Sequence, residues 1–155
     1  MPDVREIFAH VGLEPQGPVP WGHEINEDRP GIYVVTVDIP AKVMEDHAEM
    51  KRLGLASTFG WSAGKNIVYI GRTQVSLRRR MRQFYKHTYG RSSPHRGGQE
   101  VLRLTASRSV YWARTPHPVE AERRMIEKFF DETRRLPFAN KVRGWLRTLV
   151  ELEQV

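Results

Sequence analysis

Two tyrosines, a run of arginines and one glutamate are the residues of this chain whose types and spacing suit hydrolysis of a phosphate ester. That reaction needs a water nucleophile, a group to take its proton, positive charge on the developing phosphorane and a cation for the oxyanions. Tyr33 and Tyr69 fall in two strand-like runs, 31–39 and 66–71, where aromatics commonly do no more than pack a sheet. A phenol titrates near pH ~10, so Tyr33 acts as a base only toward a water already acidified by a metal or by neighbouring cations, with Tyr69 orienting the water or the phosphate. Arg80 flanks the apolar stripe of Leu77, Met81 and Phe84, about 70° from its centre by helical counting. From there it can reach into a cleft between helix and sheet, and its planar fork suits a pair of phosphate oxygens. Arg78, Arg79 and Arg82 point further away, and a charge in such a run is most often simply solvated.

Three glutamates share the helix read at 119–132. At about 100° per residue, Glu122 falls among Val119, Met125, Ile126 and Phe129, whereas Glu120 and Glu127 project from the polar side. A carboxylate inside an apolar stripe is costly unless a cation or hydrogen bonds compensate it. Glu122 is therefore either a metal ligand or a carboxylate paired with an arginine at the stripe's rim. Mg²⁺ or Mn²⁺ is the expected ion, since Mg²⁺ keeps several waters and takes few carboxylates. The six histidines include no i, i+4 pair and there is no cysteine, so zinc-hydrolase ligand sets, thiol nucleophiles and disulfides are not available.

The elements that must position these groups are legible from periodicity. Val4, Ile7, Phe8 and Val11 have helical spacing, and 15–30 carries four prolines and two glycines, so 1–30 reads as a short helix and a proline-rich lead-in. From 31 to 155 the chain reads as the body of one domain, with a long insertion at 38–65 that holds a helix at 41–53. Strands are expected at 31–39, 66–71 and 109–113, helices at 75–88 and 119–132, and a last amphipathic turn at 144–152. The fold class is α+β: a small, mostly antiparallel or mixed three-stranded sheet flanked by helices.

Charge narrows the partner. The chain carries a net charge of +7, and Arg72, Arg78, Arg79, Arg80, Arg82, Lys86, Arg91 and Arg96 lie in one stretch, 72–99, without a single Asp or Glu. Outside that stretch the chain is close to neutral, so the basic residues other than Arg80 read as phosphate contacts to a nucleic acid. No apolar run approaches the length of a membrane span, no secretory segment is read at the N-terminus, and a cytoplasmic location is expected.

Gly31-Ile32-Tyr33 in the first strand and Tyr69-Ile70-Gly71 in the second resemble the paired motif of the GIY-YIG nuclease family. Leu77 and Arg80 on the next helix, a Glu on a later helix, then Pro137 and Asn140 extend the resemblance over roughly residues 31–141. It implies a DNA endonuclease using one divalent metal and leaving a 5′-phosphate and a 3′-hydroxyl. It also implies roles for Tyr33, Tyr69, Arg80 and Glu122, with Asn140 steadying the site. Two departures stand out. The 35 residues between Tyr33 and Tyr69 far exceed a compact hairpin. Four residues past its Arg the family carries His or Tyr; this chain has Phe84, which leaves Tyr85 or His87 to supply the polar group. The alternative is a catalytically inactive nucleic-acid-binding module of the same fold. With little chain outside the core, specificity would come from insertions, a homodimer matched to a palindromic site, or a protein partner.

Overall fold

All seven residues of the strand Gly31–Val37 are buried, which requires cover on both faces, because successive side chains of a strand point to opposite sides. The computed structural model describes residues 3–38, 41, 67–95 and 97–140. Most of the insertion read at 38–65 with its helix at 41–53, the turn read at 144–152, and Arg96 lie outside the described residues. The elements are α1 (Val4–Ala9), β1 (Gln16–Pro20), β2 (Gly31–Val37), β3 (Ile67–Thr73), α2 (Leu77–Lys86), a 3-10 turn (Gln99–Arg103), β4 (Arg108–Arg114) and α3 (Pro118–Thr133).

The sheet has four strands rather than the three expected, in the order β1-β4-β2-β3, and every pairing is antiparallel. The extra strand comes from the proline-rich lead-in. Pro18 and Pro20 offer no N–H to a ladder, but β1 pairs only with β4, and an edge strand tolerates that loss. Proline content alone therefore reads as loop where an edge strand forms.

Helices cover both faces. Ile7 and Phe8 of α1 and Met125 and Phe129 of α3 pack on Ile32, Val34 and Ile70, so the N-terminal helix belongs to the same core as the sheet. On the opposite face Leu77, Met81 and Phe84 of α2 pack on Tyr33, Val35 and Tyr69. Each such apolar side chain, once fully buried, contributes about 1.5–3 kcal/mol. No helix among the described residues is long and apolar enough to cross a membrane.

Two local devices fix the elements that matter for the site. The start of α2 is capped by Ser76, whose Oγ accepts from Arg79 N at 3.2 Å, and by the lead-in, whose Arg29 and Glu27 carbonyls accept from Leu77 N and Arg78 N at 3.1 and 2.8 Å. At the far end of the sheet, β3 would present an open edge. Residues 139–140 close it: Ala139 N donates to Val68 O at 2.8 Å. Asn140 accepts from Ile70 N at 2.9 Å and donates to Ile70 O at 2.8 Å.

Candidate active site

Because β3 ends the described sheet, side chains from both of its faces reach one groove. Tyr69 lies on the α2 side with Tyr33, while Arg72 shares the α3 side with Ile70. Tyr33, Tyr69, Arg72, Arg79, Arg80, Glu122 and Asn140 all line a single cleft of about 830 Å³. Four separate elements, β2, β3, α2 and α3, thus deliver Tyr33, Tyr69, Arg80 and Glu122 to the same place.

Tyr33 is 1 % exposed and its ring lies across the neighbouring strand over Gly71, its cross-strand partner. A Cβ at position 71 would overlap that ring, so the glycine of the second triplet is needed for space. The rings of Tyr33 and Tyr69 sit 5.9 Å apart. Burial raises the Tyr33 hydroxyl well above its ordinary range; Tyr69 pushes the same way and Arg80 opposes. Burial likewise pushes Tyr69 up to about 12, with Glu122 adding to the rise and Arg80 opposing it. Neither phenol is ionised by its surroundings, so each enters any chemistry with its proton on.

The polar side chain beside the Tyr33 hydroxyl comes from neither of the positions expected to supply one. Tyr85 points away: its hydroxyl donates to His23 O at 2.8 Å and its ring packs on Trp21. His87 is buried, but its Nδ1 accepts from the backbone N–H of His95 at 2.9 Å. Neither contacts Tyr33, which corrects the expectation for both. His95, fully buried, places Nε2 2.6 Å from the Tyr33 hydroxyl. Its imidazole stacks on the Phe84 ring, 3.8 Å between centroids and 17° from parallel. The aromatic at 84 is the platform on which the histidine lies. Burial, then the charge of Arg80, lowers His95 to about 3. Its only cue in the sequence is the missing polar residue at 84, because residue spacing cannot show a loop folding back over a helix.

Arg80 is half-buried and extends along the cleft, with Nη1 3.3 Å from both Pro94 O and Gln83 Oε1. Glu122 faces the same cleft and pairs with Arg72 at 2.6 Å, its side chain 17 % exposed. Burial raises its carboxyl pKa and Arg72 opposes the rise. The other two glutamates stay outside: Glu120 and Glu127 both pair with Arg123. Among the described residues no three His, Asp or Glu side chains gather. A cation here would rest on Glu122 and water, which suits a hard ion that takes few carboxylates.

The remaining basic residues divide. Arg72 and Arg79 line the cleft. Lys86 and Arg91 are exposed beyond it. Arg78 is turned toward the lead-in, donating from Nε to Ile25 O at 3.1 Å and pairing with Asp28 at 3.4 Å. Arg82 pairs with Glu24 at 2.6 Å. Those two were expected to meet nucleic acid; without it, the acidic stretch 24–28 folds against their side of α2 and engages both. No family model, curated protein or solved structure matches the chain.

Proposed function

We propose that the chain is a divalent-metal-dependent endonuclease that hydrolyses phosphodiester bonds in DNA, of the GIY-YIG type that its paired triplets resemble. The observation that carries the reading is the convergence of Tyr33, Tyr69, Arg80 and Glu122 on one basic cleft from four elements. In this reading Arg72 and Arg79 seat the backbone phosphates, and Arg80 meets the charge that grows on the phosphoryl oxygens. Tyr33 takes the proton of the attacking water, Tyr69 orients that water, and Asn140 holds β3 in place through Ile70. Glu122 would hold Mg²⁺ or Mn²⁺ once Arg72 lets it go. The ion, when bound, supplies Lewis acidity at the phosphate and an acidified water. Cleavage leaves a 5′-phosphate and a 3′-hydroxyl, and sequence selectivity falls to insertions, a second copy or another protein.

The test is incubation of supercoiled plasmid with the folded protein in Mg²⁺ or Mn²⁺, repeated with EDTA. Nicked or linear product that EDTA suppresses is expected. Intact plasmid in both metals refutes the nuclease reading, and salt-sensitive binding without cleavage identifies a non-catalytic nucleic-acid-binding module.

A further inference from the structure

We infer that His95 is the proton acceptor behind Tyr33, so that the two side chains act as a relay: water gives a proton to the Tyr33 oxygen as Tyr33 gives its own to His95 Nε2. The inference rests on the nuclease reading above and assigns a role to a residue outside the motif that suggested it.

The donor directions follow from the partners. His95 N–H is a backbone donor, so His87 Nδ1, 2.9 Å away, is its acceptor and carries no proton. The His87 proton then sits on Nε2, facing Gln99 Oε1 at 3.3 Å, an oxygen that also accepts from Gly90 N at 2.8 Å. This chain of bonds anchors residues 88–95 and with them the His95 ring. At the other end, Arg80 acts on the Tyr33 hydroxyl through its charge, which opposes the rise that burial causes. A phenol is a stronger hydrogen-bond donor than a neutral imidazole N–H, so Tyr33 directs its proton to His95 Nε2, 2.6 Å away. His95 therefore carries its proton on Nδ1, which has no hydrogen-bond partner, and offers Nε2 as a lone pair.

A buried phenol that keeps its proton is a poor base alone, and the relay removes the difficulty, because no phenolate need exist before the reaction. The O–H bond of the water breaks, its proton passes to Tyr33, the Tyr33 proton passes to His95, and the hydroxide oxygen bonds to phosphorus. The bond from phosphorus to the 3′ oxygen breaks and solvent protonates that oxygen. His95 then returns its proton to solvent through Tyr33. The groups acting on this pair are Tyr69, Arg80, Glu122 and His87. Burial and Arg80 keep His95 neutral at rest, and a substrate phosphate on Arg80 offsets the second of these causes, which makes Nε2 more basic when it is needed. His95 never touches the substrate. It is a positioning residue that acts through Tyr33.

Two variants separate proton transfer from mere support. His95→Gln keeps an acceptor for Tyr33 but cannot take the proton, and should lower kcat by roughly 10²–10⁴-fold with unchanged DNA affinity. His95→Ala should lose as much and regain turnover with added imidazole, more for more basic substituted imidazoles. Long-range proton–nitrogen NMR of the wild-type protein reads the tautomer without any turnover, and should show Nδ1 protonated and Nε2 bare. A glutamine variant as active as the wild type, a rescue indifferent to imidazole basicity, or a proton found on Nε2 overturns the relay while leaving the nuclease reading intact. A wild-type protein inert with both metals overturns the reading and the relay together.

Discussion

Arg72→Gln should tighten the binding of Mn²⁺ to the DNA-free protein, because Glu122 cannot serve an ion while it serves Arg72. The pair is 2.6 Å long, and the side chains are 43 % and 17 % exposed. Two charges about 4 Å apart attract by about 1 kcal/mol in bulk water and about 4 kcal/mol at the effective dielectric of a protein surface. Arg72 is the more exposed partner, so solvent screening holds the pair in the lower half of that range, at about 1–2 kcal/mol. Removing the competitor by that amount strengthens metal binding roughly 5- to 30-fold. The assay is calorimetric titration of Mn²⁺ at fixed ionic strength and pH 8. The pH matters because losing Arg72 also lets the Glu122 carboxyl pKa rise further, so protons compete more strongly in acid. A short duplex whose phosphates engage Arg72 should strengthen metal binding to the wild-type chain in the same way, and much less in the variant. If the variant binds Mn²⁺ no better than wild type, the ion pair does not gate the site and the reasoning fails.

Glu122→Gln should abolish both Mn²⁺ binding and cleavage, whereas Glu127→Gln, whose carboxylate is engaged with Arg123 on the outer face, should remain active; the reverse pattern in calorimetry and plasmid assays would exchange their roles. Arg80→Ala should reduce kcat by roughly 10²–10³-fold with little loss of DNA affinity, and equal losses in both would reduce Arg80 to a phosphate contact. Arg79→Gln should lower the slope of log affinity against log salt by about one, while Arg82→Gln, already committed to Glu24, should leave it unchanged. The last concerns acid: His95 is held at about 3 against an ordinary value of 6.5, so between those pH values the unfolded chain binds the extra proton. Its contribution to stability is fully present above 6.5 and is lost as pH falls toward the folded value, by at most about 1.4 kcal/mol per pH unit. Urea unfolding of His95→Gln should show a pH dependence flatter than wild type by that single-proton slope, and parallel curves would count against the burial of a neutral histidine.

What the sequence made legible follows composition for the strands and helical spacing for the helices. Runs rich in β-branched and aromatic residues without a helix pattern marked β2 and β4, and apolar residues at period 3.6 marked α2 and α3, including the placement of Glu122 on an apolar stripe. That stripe left two readings of the residue, metal ligand or arginine partner, and in the DNA-free chain Arg72 occupies it. The helical wheel also placed Arg78 and Arg82 away from the stripe, but a wheel carries no record of what lies opposite, and the acidic stretch 24–28 does. β1 escaped notice because proline content is a signal about missing donors, and at a sheet edge the donor is not needed. His95 escaped because its position depends on how a loop closes, which is set by His87, eight residues before it, and by Gln99 bound to His87, in contacts that no periodicity encodes.

The arrangement separates two tasks that conflict in a single buried site. Moving a proton is easiest among groups shielded from solvent, whereas holding phosphates and an ion requires charge, and charge is expensive to bury. In this cleft the charged groups Arg72, Arg79 and Glu122 line the open side, where water screens them. Beneath them Tyr33, His95, His87 and Gln99 form a chain of hydrogen bonds whose members are all buried, and burial keeps the first two neutral. Among the described residues Arg80 lines the cleft outward and acts by its charge on both Tyr33 and His95 inward. A phosphate arriving on its outer side therefore changes the electrostatics of the inner chain without entering it. In the proposed reaction, binding of substrate and readiness of the base are coupled through that one side chain, and on that reading a substitution at Arg80 should cost turnover more than affinity.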